Sequence, residues 1–224
     1  MSRTLSHDEA RRVYDRIGAR QDTQAFYEDR ATDLLIAYGA FERAHCVFEL
    51  GCGTGRFAGR LLAEHLPADA AYVGIDLSPE MVRLARERLR PFRDRAEVRT
   101  TDGSLPIDQP DASADRFVSN YVLDLLSEGE IRAVLEEAHR ILRPRGLACL
   151  ASLTTGAGPV SRFVAASWSR LHRIAPALVG GCRPIELLEQ LEGAPGWRIR
   201  HHQRVAPFGL PSEVVIAERA SAAA

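Results

Sequence analysis

The stretch Phe48-Glu49-Leu50-Gly51-Cys52-Gly53-Thr54-Gly55-Arg56-Phe57 decides how the chain is read. Residues 46–50 form a short apolar run of the kind a buried parallel strand makes. The run enters three glycines at alternate positions, and a helix is predicted behind them over residues 55–65. Glycines between strand and helix let the backbone bend sharply and lie flush against a ligand. Position 56 is Arg, so the spacing is Gly-x-Gly-x-Gly and not the Gly-x-Gly-x-x-Gly of dinucleotide binders. Glu49 stands two residues before the first glycine. A carboxylate there is poor company for a pyrophosphate and good company for a ligand that is positively charged at that spot. The plain alternative is that Glu49 and the glycines only shape a tight turn.

Outward from this turn, strands and helices alternate. Strands are predicted over residues 71–75, 96–101, 116–119 and 147–153, with helices over 80–89 and 128–142 between them. Ser78-Pro79 supplies an N-cap and a first-turn proline. Ser127 with Glu130 supplies a capping box, and so does Ser6 with Glu9, which opens a helix running to about Gly18. A second N-terminal helix is expected over 23–38, turning Phe26, Leu34, Leu35 and Tyr38 to one side. Strands alternating with helices at this spacing mean a mostly parallel sheet covered on both faces. Two further strands, 197–205 and 213–217, are joined by a link too short for a helix, so they are expected to pair antiparallel at one edge. The expected fold is α/β: a three-layer, seven-stranded, Rossmann-like sheet with an antiparallel C-terminal hairpin.

Two more carboxylates follow strands. Asp76 ends the second strand, where it can accept hydrogen bonds from both hydroxyls of a ribose, or serve only as a helix-leading charge. Asp102 follows the third strand with Gly103-Ser104 behind it, suited to an adenine amine or to an ordinary turn. Taken together, Glu49-x-Gly51-x-Gly53-x-Gly55, Ile75-Asp76-Leu77-Ser78-Pro79-Glu80-Met81 and Asp102 resemble the motifs of class I S-adenosylmethionine-dependent methyltransferases. Leu142-Arg143-Pro144-Arg145-Gly146 is similar to that family's Leu-Lys-Pro-Gly-Gly entry into the fifth strand, with Arg145 where glycine is usual. The resemblance covers residues 46–153 and lies nearest the ubiquinone/menaquinone-biosynthesis type of small-molecule methyltransferase. It implies that Gly51, Gly53 and Gly55 border the methionine part of S-adenosyl-L-methionine and that Asp76 holds the ribose. Leu77 and Met81 would lie against the adenine, Asp102 would meet its amine, and the Gly103 loop would pack beside the ring.

A sulfonium is already a strong methyl donor, so the chemistry asks chiefly for alignment and exclusion of water. The expected reaction is in-line displacement onto a small organic acceptor, through oxygen, nitrogen or carbon, releasing S-adenosyl-L-homocysteine. In open α/β sheets the acceptor lies beyond the carboxyl ends of the strands. The fourth strand ends there in Ser119-Asn120-Tyr121-Val122-Leu123-Asp124, which makes Asn120 a cofactor contact and Tyr121 a catalytic candidate. The Asn-Pro-Pro-Tyr arrangement of DNA and protein-amide methyltransferases is absent. Tyr14, on the leading helix, is the second catalytic candidate. Asp124 reads as a base or as a solvated helix-leading carboxylate. Residues 159–178 carry Val160, Phe163, Val164, Trp168, Leu171, Ile174 and Leu178 at helical spacing, with Arg162, Arg170, His172 and Arg173 opposite. That pattern fits a packed helix, a lid over an apolar or aromatic acceptor, or a basic amphipathic helix at a lipid surface.

The 224 residues are 46% apolar and 26% charged, with 29 basic side chains against 30 acidic. That fits one compact domain and gives no global field for nucleic acid. The expected organisation is a helical lid over 1–40, a methyltransferase domain over 41–219 and a frayed tail over 220–224. No run approaches a membrane span, and the N-terminus lacks an apolar signal core. Cys46, Cys52, Cys149 and Cys182 show no paired spacing and the seven histidines no ligand spacing. The expectation is a cytoplasmic protein without a metal. Two other readings stay open: a cofactor-binding regulatory subunit without turnover, and a quinone or lipid methyltransferase working at a membrane surface.

Overall fold

The computed structural model describes residues 4–156, 158–174 and 180–220. Strand β1 (Cys46–Leu50) lies at the centre, paired in parallel with β2 (Ala71–Asp76) on one side and β4 (Ala114–Asn120) on the other. Strand β3 (Ala96–Thr100) continues the sheet beyond β2, and β5 (Leu142–Leu153) continues it beyond β4. The antiparallel pair β6 (Trp197–Val205) and β7 (Ser212–Arg219) completes the order β3-β2-β1-β4-β5-β7-β6. The chain doubles back so that β7, not β6, lies against β5 and β6 takes the edge. The seven-stranded sheet with its C-terminal hairpin is the expected fold.

Helices α2 (Ala25–Tyr38), α3 (Arg56–Glu64) and α4 (Pro79–Arg88) share one core with Val47, Tyr72, Val214 and Ile216. Helices α5 (Glu128–Ile141) and α7 (Leu187–Glu192) share the opposite core with Phe48, Phe117, Leu150 and Val215. Alternate residues of β7 feeding opposite cores is the period-two pattern of a strand covered on both faces. Helix α5 buries Ile131, Val134, Leu135, Ala138 and Ile141, a three-four spacing that places them on one stripe. Burying each larger aliphatic chain there stabilises the fold by about 1.5–3 kcal/mol.

The local start signals operate as read. Helix α1 (His7–Ile17) opens on the full Ser6/Glu9 capping box, α5 on Ser127/Glu130, and α4 on the Ser78 hydroxyl with Pro79 behind it. Residues 18–24 depart from the expectation: they form a 3-10 turn, Gly18–Gln24, before α2 begins. The facing of α2 also differs. Tyr27, Ala31, Thr32 and Leu35 point inward, while Phe26 and Tyr38 stand about half exposed. Tyr38 stacks on the His201 ring and Phe26 packs on Phe208.

Helix α6 (Pro159–Ile174) buries only part of the expected apolar face. Its inward side is Ser161, Ala165, Trp168 and His172, with the Trp168 indole donating to the Cys182 carbonyl and the His172 ring 3.0 Å from the Gly181 carbonyl, while Phe163 is 73% and Ile174 76% exposed. Leu178 lies outside the described residues. Phe163, Leu171 and Ile174, also expected on the apolar face, stand at the surface. Among the described residues no helix is long and apolar enough to cross a membrane.

Candidate active site

The carboxyl ends of β1, β2 and β4 meet in one cavity of about 260 Å³, roofed by α1, the 3-10 turn and α2. It opens where β1 has β2 on one flank and β4 on the other, the position at which open α/β sheets bind ligands.

The glycine turn forms its floor. Gly51 and Cys52 donate their N–H groups to the Ile75 carbonyl, which hooks the turn onto β2. The three glycines then do different work. At Gly51, with φ +72°, a Cβ would stand 2.2 Å from Val122 Cγ2. At Gly55, with φ +73°, it would meet the Ala85 backbone of α4 at 3.0 Å. Only Gly53, at φ +52°, faces open space. Gly51 and Gly53 line the cavity, whereas Gly55 serves the approach of α4 and lies outside the lining.

Two carboxylates border this floor. Glu49 is 1% exposed, receives the Tyr72 hydroxyl at 2.5 Å and the Asn120 amide at 3.3 Å, and has no cationic partner among the described residues. Burial pushes its carboxyl up to about 7, against the pull of those two donors. A buried carboxylate satisfied only by neutral donors is a receptor for a cation, because a positive ligand recovers the ionisation that burial suppresses. The Asn120 Oδ1 is also buried without a donor. Asp76, raised by burial in the same direction, accepts the Gly53 N–H and the Ser78 N–H at 2.9 Å each, one on either oxygen. Each oxygen keeps a lone pair for a ligand hydroxyl. These residues fit a ribosyl sulfonium cofactor: a cation receptor, an uncluttered backbone and a paired hydroxyl acceptor, side by side.

Leu77, Gly103, Asn120, Tyr121 and Tyr14 all line the cavity as well. Gly103, at φ +80°, is needed because His7 of α1 rides over it; a Cβ would come within 2.6 Å of the ring. Tyr121 also has positive φ, +53°, a strained conformation for a large side chain that its surroundings must hold. Its hydroxyl donates to Ser212 and Tyr27 packs edge-on at 5.7 Å. The Tyr14 hydroxyl lies 4.0 Å from Cys182 Sγ, and burial raises its pKa well above the ordinary phenol value.

Met81 is wholly buried in the core. Asp102 is exposed, accepts the Ser104 N–H within its own loop and lines an adjoining pocket that shares His7, Leu77, Thr101 and Ser104 with the cavity. Asp124 is not a solvated carboxylate: it is fully buried, accepts the Leu153 N–H at 3.1 Å, and burial lifts it to about 7. Glu28 and Gln21, cavity residues on the roof, carry no sequence signal that separates them from a solvated helix face. Among the described residues no group of three or more His, Cys, Asp or Glu side chains is placed to hold a metal.

The roof is fastened by polar links at intervals along it. Asp15 receives the Ser78 hydroxyl at 2.6 Å, Asp22 the Thr54 hydroxyl at 2.5 Å, and Asp33 pairs with Arg60 at 2.6 Å. Asp29 pairs with Arg56, and Arg88 joins the Asp22–Thr54 contact.

A family model described as a methyltransferase domain matches residues 47–146. The chain is similar to an arsenite methyltransferase of Halobacterium salinarum, 32% identical over 59% of this chain and 34% of that protein. It is also similar to a demethylmenaquinone methyltransferase of Tropheryma whipplei, 32% identical over 62% of this chain and 56% of that one. The chain thus matches between a third and just over half of the length of these two relatives. Among solved structures, a [4+2]-cyclase, SpnF, shares the fold with a TM-score of 0.73 at 17% identity, covering 99% of this chain and 98% of that one. An O-methyltransferase family protein from Burkholderia thailandensis shares it at 0.69 and 19%, covering 88% of this chain and 57% of that one. The glycine turn, the buried acid before it and the acid closing β2 all meet at one cavity, within the residues 47–146 that match the methyltransferase domain.

Proposed function

We propose that the protein transfers a methyl group from S-adenosyl-L-methionine to a small organic acceptor. Glu49, buried beside Gly53 and without a cationic partner among the described residues, is the observation that carries this reading. Bound there, the cofactor would supply a methyl group activated by a positively charged sulfur. Glu49 and the Asn120 carbonyl oxygen would hold its ammonium, Asp76 its ribose hydroxyls, and the Gly51–Gly53 backbone its methionine chain. Leu77 and the Gly103 loop would face its base, in place of Met81 and Asp102. The segment over residues 1–40 acts as a lid, excluding water and holding the acceptor in line; orientation of this kind supplies on the order of 7–11 kcal/mol in well-aligned reactions.

Tyr121 and Tyr14 would position the acceptor rather than exchange protons with it, because burial raises both phenols. The relatives' names, arsenite and demethylmenaquinone methyltransferase, fit a small acceptor in their own proteins. The four unpaired cysteines fit a reducing cytoplasm. Calorimetric titration tests the reading: S-adenosyl-L-homocysteine should bind and NAD should not. Tight NAD binding, or none by either ligand, removes it.

A further inference from the structure

The wall opposite the glycine turn has a chemistry of its own. Tyr14, Gln21 and Glu28 from the roof and Tyr121 from the end of β4 line the same cavity. The Gln21 side-chain amide donates to Gln24 at 2.9 Å, which fixes its orientation and leaves Oε1 buried without a donor. The contact made to Glu28 from Gln21 is long, 3.5 Å. Behind the tyrosines Asp124, wholly buried, has a second oxygen with no partner among the described residues. This wall therefore offers acceptor atoms and aromatic faces, while its Gln21 amide and Tyr121 hydroxyl are already engaged with Gln24 and Ser212.

The basic side chains lining the cavity are already engaged. Arg56 is paired with Asp29, Arg60 with Asp33, and His7 lies 3.2 Å from Glu130. Arg56 also attracts Glu28, so a carboxylate or phenolate acceptor would enter beside Glu28 with no unengaged guanidinium among the described lining residues to meet it. An amine acceptor reverses the sign of each of these terms. Its ammonium supplies a donor to the Gln21 Oε1, which has none, and a charged donor to Glu28, which receives only neutral ones from Gln21 and Tyr27, and its charge lies where tyrosine faces attract cations. During transfer the positive charge moves from sulfur to nitrogen, so the acidic surroundings serve donor and product alike.

We propose that this wall is an amine subsite, in which Glu28 and Gln21 hold the ammonium of a small amine and Tyr14 and Tyr121 flank its carbon frame. This rests on reading the cavity as the joint site of donor and acceptor. Before transfer one ammonium proton passes to the Glu28 carboxylate. The freed nitrogen lone pair forms the N–C bond as the C–S bond breaks, and that bond's electron pair remains on sulfur. Burial lifts Glu28 to about 7, which suits a carboxylate that must take up a proton near neutrality.

Three probes of nearly one shape test it: phenethylamine, 2-phenylethanol and phenylacetate, each titrated calorimetrically into the full chain saturated with S-adenosyl-L-homocysteine. The amine should bind about tenfold or more tighter than the alcohol, with the carboxylate weakest. Glu28→Gln should erase the preference for the amine while homocysteine-product affinity stays within about twofold. Gln21→Leu, which removes a roof acceptor and the long contact to Glu28 while keeping the carboxylate itself, should weaken the amine by about threefold or more and leave the alcohol unchanged. Product binding without amine preference overturns the amine subsite alone, as does a preference that survives Glu28→Gln. Failure of the parent protein to bind the product overturns the cofactor reading and this inference together.

Discussion

Replacing Glu49 with Gln separates a cavity built for a cation from one that is merely concave. The substitution keeps the shape of the side chain, and its amide oxygen can still receive the Tyr72 hydroxyl that now sits at 2.5 Å. What it removes is the charge. A hydrogen bond to a charged group contributes about 1.5–3 kcal/mol, so affinity for S-adenosyl-L-homocysteine should fall by roughly 10- to 150-fold. The pH dependence is sharper. With Glu49 at about 7 in the free protein, the form that pairs with an ammonium becomes scarcer by about tenfold for each pH unit below that. Parent affinity should therefore climb roughly tenfold per unit from pH 5.5 to 7 and then level off. The ligand's own α-amino group stays protonated over that range, since such groups titrate near about 7.7–8.0. The variant should be weak and flat throughout.

Stability of the free protein should move in the opposite sense. The folded value is raised above that of the unfolded chain, so the fold favours the protonated acid. The contribution of Glu49 is then fully present below the ordinary carboxylate value and is lost as pH rises through about 7. Glu49→Gln should consequently melt higher than the parent at pH 8 when no ligand is added. Calorimetry and thermal denaturation read both quantities. A variant that binds as tightly as the parent, or a parent whose affinity ignores pH, would refute the cation-receptor argument.

The glycines should separate by function. Gly51→Ala forces a Cβ to 2.2 Å from Val122 in a left-handed backbone and should cost roughly 2–4 kcal/mol in urea denaturation, whereas Gly53→Ala meets nothing and should cost only about 1–2 kcal/mol of backbone strain. The order inverts for ligand: Gly53→Ala puts a methyl group into the cavity and should weaken product binding by about tenfold or more, and unchanged affinity would remove Gly53 from the floor. Asp76→Ala should weaken binding by about 1–3 kcal/mol while Asp102→Ala, exposed and outside the cavity, should leave it within about threefold; an equal loss in both would restore Asp102 to the site. Arg145 is exposed and has φ +65° at a position where the family usually has glycine, so Arg145→Gly should stabilise by about 0.5–1 kcal/mol, checked by the urea midpoint at constant slope.

How much of this was legible divides along the range of the interactions. The capping boxes at Ser6 and Ser127, the Ser78-Pro79 start and the Gly51–Gly55 turn are specified within a few residues, and the structure has them where the sequence places them. Facing is a different matter. Helix α2 turns Ala31 and Thr32 inward and leaves Phe26 and Tyr38 out, because close packing on the sheet favours small side chains that carry little hydropathy signal. Asp124 reads as a helix leader until β5 brings the Leu153 N–H to it, 29 residues away. The same blindness hides the roof. Asp29 and Asp33, four apart on α2, look like a solvated stripe; so do Arg56 and Arg60 on α3. Both pairs join across a separation of 27 residues. A constant offset means the two helices run side by side in the same direction, each turn of one facing the corresponding turn of the other. Individually such partly exposed pairs contribute only about 0.2–1 kcal/mol. Repeated in register, beside the links from Asp15 and Asp22, they fix where the roof sits, and with it where Glu28 and Gln21 meet the cavity.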